Sequence, residues 1–222
     1  MKILLATTNP HKLEEIKAVI DTAYIEWVLL SDIGRAIPEP VEDQDTFEGN
    51  AMLKAAYYAK ETGMVTVADD SGLEVDKLRG EPGVRSARYS GMEGERDIVD
   101  PANNLLLLKK LSLFPSDADR AGRFVCTMAM CAPDKLAPIA IVRGTVEGRI
   151  LREDEADDPS APEKGRGPNG FGYDPLFVLT DTDHIDKTTA EITPAQKNAL
   201  SHRGKAARLL WAKIQDLGLI EK

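Results

Sequence analysis

Residues 65–88 read VTVADDSGLEVDKLRGEPGVRSAR. The β-branched run Val65, Thr66 and Val67 leads into two adjacent carboxylates, Asp69 and Asp70, then a hydroxyl, Ser71, and a glycine, Gly72. This order predicts a strand that ends in a tight turn, with Leu73 and Val75 opening a short second strand. Strand ends are where α/β proteins place their chemistry. Two carboxylates side by side there have the oxygen character that a hard cation such as Mg²⁺ requires, and one of them could draw a proton from a metal-bound water. The plainer reading is a turn cap, since Asp, Ser and Gly are common turn formers.

Upstream, residues 2–6, with the apolar run Ile3 to Ala6, predict a buried strand, followed by Thr7, Thr8, Asn9, Pro10, His11 and Lys12. Leu13, Ile16, Val19 and Ile20 then recur at helical spacing, with Thr8 or Asn9 as the cap and Pro10 in the first turn. A polar turn at a helix N-terminus offers free N–H groups and the positive end of the helix dipole, a seat for phosphate to which Lys12 adds a full charge. An ordinary capped helix is the alternative, and the glycines of a Walker A loop are missing. Residues 26–33 are a second apolar run. The acidic loop at residues 37–45 carries Glu39, Glu42 and Asp43, and Thr46 or Asp45 caps a helix with Ala51, Ala55 and Tyr58 on one face and Lys54 at its edge. Such a loop is usually solvated, but it could bring a metal-binding carboxylate beside Asp70.

Downstream, a helix is expected from about Pro101, carrying Leu105 to Leu108 and Leu111 into the core, and residues 124–132 and 139–146 read as paired strands. Residues 153–164, EDEADDPSAPEK, have little to bury and predict an exposed, mobile acidic loop. It leads into Gly170, Phe171, Gly172, Tyr173 and Asp174, where glycines let the backbone approach a ligand and an aromatic face could stack on a flat ring. A glycine-rich hairpin is the plainer alternative. Thr193, Pro194 and Gln196 form a capping box with a first-turn proline. Lys197, Ser201, His202, Arg203 and Lys205 follow, and Ala206, Leu209, Leu210, Ile214 and Leu217 are expected to form a helix's apolar face. The cations suit either a solvated face or a polyphosphate, and His202 with Arg203 offers donors to a base carbonyl.

A formal net charge of −9 over 222 residues argues against a general nucleic-acid binder, although a local cationic cluster can still hold a small anion. The two cysteines, Cys126 and Cys131, lie five positions apart in an apolar run, so on a strand they face opposite ways and do not pair. They predict reduced core thiols in a cytoplasmic protein. No apolar stretch is long enough to span a bilayer, so no membrane association is expected.

Together, residues 6–16 (ATTNPHKLEEI), 46–55 (TFEGNAMLKA), 68–76 (ADDSGLEVD), 82–91 (PGVRSARYSG), 169–177 (NGFGYDPLF) and 193–206 (TPAQKNALSHRGKA) resemble the inosine/xanthosine triphosphate pyrophosphatases, the Ham1-like house-cleaning nucleotidases. The resemblance implies an ITPase/Maf-like α/β fold: an elongated mixed sheet flanked by helices, with two lobes in one domain spanning residues 1–222 and the site in the cleft between them. It implies that deaminated purine nucleoside triphosphates (ITP, dITP, XTP) are hydrolysed to monophosphate and pyrophosphate with Mg²⁺, by a protein that is usually a homodimer. Carried onto this sequence, it makes Asp70 the proton acceptor and a Mg²⁺ ligand. Thr7, Thr8, Asn9, Pro10, His11, Lys12 and Lys54 would bind the triphosphate, and Ser71 would touch substrate. Phe171, Gly172, Tyr173 and Asp174 would hold base and sugar, Lys197 the nucleotide, and His202 with Arg203 the base edge. Glu42 is the best match for a second metal carboxylate, with Glu39 behind it. This sequence departs from the family in two places: Gly49 stands where many members carry Glu, and the acidic stretch at 153–164 is longer than usual. Two other readings stand beside this one, a non-catalytic nucleotide sensor, invited only by Gly49, and a Maf-like pyrophosphatase of modified pyrimidine nucleotides, which His202 and Arg203 speak against.

Overall fold

A computed structural model of the chain describes residues 1–219 except Thr8, Asp21, Leu136 and Thr182; the side chains of Pro10 and His11 also lie outside the described set. Strands β1 (Lys2–Leu5), β2 (Glu26–Leu29), β3 (Thr66–Val75), β4 (Ala121–Cys131), β5 (Ala140–Ile150) and β6 (Phe177–Leu179) form one mixed sheet in the order β2-β1-β3-β4-β5-β6. β1 runs parallel to β2 and β3, whereas β6 runs antiparallel to β5. The helices are α1 (Pro10–Val19), α2 (Phe47–Thr62), α3 (Arg96–Leu111), α4 (Pro194–Leu200) and α5 (His202–Asp216). Among the described residues, no helix is long and apolar enough to cross a membrane. The chain groups into two compact units: Met1–Ser71, Cys126–Gly144 and His202–Lys222 form one, Gly72–Val125 and Thr145–Ser201 the other.

In the first unit the pleat sorts neighbouring residues onto two cores. Ile3, Leu5, Val67 and Cys126 pack with Ile16 and Ile20 at α1 and with Ala206, Ala207, Leu210 and Ile214 of α5. Leu4, Ala68 and Cys131 pack with Ala51, Ala55, Tyr58 and Ala59 of α2. The two cysteines thus lie in different cores, both free and buried, as their spacing on a strand requires. The α5 stripe is rotated from expectation: Ala207 is buried, while Leu209 and Leu217 are 49% and 47% exposed. Ala206, Leu210 and Ile214 face the core as expected and Ala207 joins them on one helical face, whereas Leu209 turns away from it and Leu217 lies beyond the last residue of α5.

The tight turn expected at 69–72 does not exist: β3 runs unbroken from Thr66 to Val75, and its first five residues are buried. Local turn propensity is overridden because Asp69, Asp70 and Ser71 each meet partners from outside the strand, as described below. Gly72 serves close approach instead. In the second unit, a Cβ at Gly72 would sit 2.3 Å from Ser86 Oγ and 2.7 Å from Gly83 O, where the segment Gly83–Arg88 lies against the strand and Ser86 Oγ accepts a hydrogen bond from Leu73 N.

The second unit has its own core of Leu73, Val75, Leu107, Leu108, Leu111, Phe124, Tyr173 and the β6 residues Phe177, Val178 and Leu179. α3 begins at Arg96, earlier than Pro101, because Ile98 N and Val99 N close the first turn on Glu95 O before the proline is reached. Leu105 is exposed, and its expected inward place is taken by Asn103 and Asn104, both buried. The acidic stretch at 153–164 has more to hold it than its composition predicts. Glu155 accepts two hydrogen bonds from the Arg149 guanidinium at 2.7 Å, Arg120 pairs with Glu153 at 3.0 Å, Ala156 is buried in the core, and Asn104 Nδ2 donates to Glu163 O. Only residues 157–160 are consecutively exposed.

Candidate functional site

Because β3 continues through the acidic pair, Asp69 and Asp70 project to opposite faces of the sheet, as consecutive strand residues must. They form two separate constellations in the first unit, contrary to the expectation of one shared site for a cation.

Asp70 lies on the α2 face. Asn50 Nδ2 donates to its Oδ2 at 3.1 Å, Ser71 N to its Oδ1 at 3.0 Å, and Lys54 Nζ stands 3.7 Å from Oδ1. Lys54 also meets Glu42 Oε1 at 3.1 Å, so one ammonium bridges the carboxylates of the strand and the acidic loop. α2 delivers Asn50 and Lys54 to one face because they are four positions apart, and Thr46 starts the helix as expected, accepting from Gly49 N at 3.0 Å. Burial pushes the Asp70 carboxyl up from the ordinary value, with Lys54 and Asn50 opposing but not cancelling it. For Lys54, burial works against the charge, yet Asp70, Asp69 and Glu42 outweigh it and hold its pKa above the usual lysine value. Glu48 does not stand in for a carboxylate at position 49: it faces Arg143 at 2.7 Å and Thr127 at 3.2 Å. Among the described residues, no group of three or more His, Cys, Asp or Glu side chains is arranged to hold a metal ion. Mg²⁺ needs fewer, since it commonly binds through one or two carboxylates, water and substrate phosphates, and Asp70 and Glu42, which share Lys54, have the oxygen chemistry that could hold it.

Asp69 lies on the α1 and α5 face. Lys12 Nζ is 3.0 Å away, Arg203 Nε 3.5 Å, and Cys126 Sγ 3.9 Å. Burial alone would raise the Asp69 pKa, but Lys12 and then Arg203 outweigh it and hold the carboxyl far below the carboxylate range. The thiol of Cys126, buried beside that charge, is pushed well above its usual value. Arg203 was expected to read a base edge. Its guanidinium is instead buried and engaged with Glu15, with Ser71 Oγ at 2.9 Å and with Asp69. His202 is buried at the start of α5, whose first turn can approach β5 because of Gly144; a Cβ there would fall 2.2 Å from His202 O. Thr7 Oγ1 accepts from Asn9 N at 3.1 Å, and Asn9 O accepts from Leu13 N as α1 begins. Thr8 and the side chains of Pro10 and His11 lie outside the described residues.

In the second unit, residues 171–174 divide into a surface and a support. Tyr173 was expected to face base or sugar but is 6% exposed in the core, its hydroxyl donating to Ser86 O at 2.9 Å. Asp174 is likewise buried: Oδ1 accepts from Thr189 Oγ1, and Oδ2 from Phe171 N and from Lys197 Nζ at 2.7 Å. Lys197 is therefore a buried partner of Asp174 as well as a cation 4.8 Å from the Phe171 ring. Gly172 adopts a left-handed conformation (φ 61°) and its N–H donates to Asp100 Oδ2 at 2.8 Å. Phe171 is the partly exposed aromatic, and the Arg96 guanidinium stands 5.1 Å from its ring centroid.

The sequence reading missed Glu15, Asn50, Arg96 and Asp100. Glu15 sits beside Ile16 and one turn before Val19 on the inward side of α1, where a carboxylate signals a hidden cation. A buried Asn within an alanine-rich helix face was the legible trace of Asn50.

The Ham1 family model matches residues 3–213. A dITP/XTP pyrophosphatase of Corynebacterium efficiens is 44% identical, covering 98% of this chain and 99% of its own, and one of Bacillus licheniformis is 42% identical, covering 96% and 97%. Among solved structures, a HAM1 protein from Coxiella burnetii superposes with a TM-score of 0.82 at 34% identity, covering 97% of this chain and 99% of its own. A nucleoside-triphosphatase / dITP/XTP pyrophosphatase from Mycobacterium abscessus gives 0.72 at 41% identity, covering 95% and 98%. With a family model spanning nearly the whole sequence and full-length relatives above 40% identity, the chain belongs to the Ham1 family.

Proposed function

We propose that this protein hydrolyses deaminated purine nucleoside triphosphates, dITP, ITP and XTP, to the monophosphate and pyrophosphate. The observation that carries this reading is the buried Asp70 carboxylate, joined through Lys54 to Glu42. Asp70 accepts a proton from the water that attacks the α-phosphorus, and Lys54 offsets negative charge on the phosphates, so catalysis rests on positioning and electrostatics. Mg²⁺, held by Asp70 and Glu42 together with the phosphates, would neutralise charge on the pyrophosphate leaving group when bound. The N-terminus of α1, with Thr7, Asn9 and Lys12, is the seat assigned to the triphosphate. Phe171 offers its ring to the base, while Tyr173, Asp174 and Lys197 hold that ring's loop in shape. Buried Arg203 acts by fixing Ser71 and Asp69, and any hydrogen bond from this region to a 6-carbonyl falls to groups around it. A homodimer in the cytoplasm is part of the same proposal, supported by family resemblance and by reduced cysteines.

The test is a panel of dITP, ITP, XTP, GTP and ATP with Mg²⁺, scored separately for pyrophosphate and orthophosphate. The deaminated substrates should lead in kcat/KM by orders of magnitude, since a site built to hydrogen-bond one edge can reject a mismatched one by about 10⁴. Orthophosphate as the first product, or equal turnover of ATP and ITP, would overturn the assignment. No turnover with tight binding would instead point to a sensor.

A further inference from the structure

Asn50 is wholly buried in the first turns of α2, where an Asn has no helix-forming advantage over the alanines around it. Its backbone N–H is already used, donating to Thr46 O at 3.1 Å. What distinguishes it is the side chain. Oδ1 accepts from Gln44 N at 3.1 Å, and Nδ2 donates to Asp70 Oδ2 at 3.1 Å. A planar carboxamide can accept at one end and donate at the other; a carboxylate can only accept, and an aliphatic group can do neither.

Two neighbours complete the arrangement. Gly49 has an ordinary helical backbone, yet a Cβ there would lie 2.8 Å from Gln44 Cβ and 3.1 Å from Thr46 Oγ1. A helical Gly costs about 1 kcal/mol relative to Ala, and here it leaves room for Gln44 to settle on the helix. Two residues before Gln44 stands Glu42, whose carboxylate meets Lys54, and Lys54 lies one turn beyond Asn50 on the same face. A closed ring results: Glu42 through the chain to Gln44, then Asn50, Asp70, Lys54 and back to Glu42.

We propose that Asn50 is a positioning residue for the pyrophosphatase reaction, coupling the acidic loop to Asp70 so that Glu42 and Asp70 arrive at Lys54 in register. The proposal rests on the role given to Asp70 above. Asn50 acts through its neighbours, fixing the loop through Oδ1 and one oxygen of Asp70 through Nδ2.

The two halves of the bridge separate by mutation of the full chain. Asn50→Ala removes both hydrogen bonds. Asn50→Asp keeps an acceptor for Gln44 N–H but sets a second carboxylate against Asp70. Hydrogen exchange at the Gln44 amide, measured on metal-free protein, should become fast in Asn50→Ala and stay slow in Asn50→Asp. Both variants should lose about 10- to 100-fold in kcat, the effect typical of removing a group that orients a ligating side chain. In Asn50→Ala the Mg²⁺ concentration for half-maximal rate should also rise, with KM for dITP changing far less. A merely structural Asn50 would lower melting temperature and Gln44 protection together, with no selective effect on the Mg²⁺ requirement. Parental kcat in Asn50→Asp, or unchanged Gln44 exchange in Asn50→Ala, overturns the proposal. Asp70→Asn run in parallel keeps the two ideas apart: if that variant is fully active, the role of Asp70 falls, whereas an inactive Asp70→Asn beside a fully active Asn50→Asp removes the positioning role alone.

Discussion

Arg203→Ala is the substitution with the largest effect that the structure permits one to work out. The guanidinium is 2% exposed and stands between Glu15, at 8%, and Asp69, at 3%. Its removal leaves two buried carboxylates with Lys12 on Asp69 and takes the donor from Ser71 Oγ as well. Deleting one partner of a buried ion pair costs about 3–5 kcal/mol, because the remaining charge is left without compensation. For a chain of this size each kcal/mol moves the melting temperature by about 2–4 °C, so a drop of roughly 6–20 °C is expected. The pH dependence adds an independent check. Asp69 has a depressed folded-state pKa, so its stabilising contribution is present above the ordinary carboxylate pKa and is lost as pH falls through the folded value. Without Arg203 that depression shrinks, although Lys12 maintains part of it, and acid unfolding should begin at higher pH than in the parent. Adding Glu15→Gln should recover part of the loss by removing one of the two buried carboxylates that Arg203 faces. Thermal melts followed by circular dichroism from pH 3 to pH 8 measure all of this. A variant that melted within about 2 °C of the parent at neutral pH, less than 1 kcal/mol by the same conversion, would refute the buried network as a source of stability.

Asp70→Asn should lose more than the ~10²–10⁴-fold typical of general-base removal, measured as pyrophosphate release. The same change should raise the melting temperature at pH 7. Burial raises the folded-state pKa of Asp70, so its favourable contribution exists only at low pH and disappears as pH rises through that value; the neutral amide removes the penalty, and the advantage should vanish in acid. Arg120→Met should destabilise by about 3 kcal/mol or more, since it strips a buried donor from the carbonyls of Leu111, Phe114 and Leu151, read by urea denaturation. Deleting the exposed residues 158–160 should leave the melting temperature near the parent's, whereas Glu155→Gln, which breaks the paired contact with Arg149, should lower it. Arg96→Ala should change KM for dITP by only a few-fold, in line with the ~0.5–1 kcal/mol of an exposed cation–π contact over Phe171.

Much of this molecule is written locally. The capping box of Thr193 and Gln196, the Thr46 cap of α2 and its buried Ala51, Ala55 and Tyr58 all depend on groups within a few positions of one another, and spacing alone revealed them. The order of the family motifs was equally legible, because it is a property of the sequence. What only the tertiary structure decided is the course of the chain through Asp69, Asp70, Ser71 and Gly72. Local chemistry there favours a turn, but Arg203, 134 positions from Asp69, and Lys12 stabilise the carboxylate on one face, while Asn50 and Lys54 do so for Asp70 on the other. With both charges satisfied by distant partners, the strand continues and the acidic pair is split between two sites. Tyr173 and Arg203 show the same physics. Each is a residue type that suits a ligand, and each is drawn inside by a partner that composition and periodicity cannot display: the carbonyl of Ser86 for one, the carboxylate of Glu15 for the other.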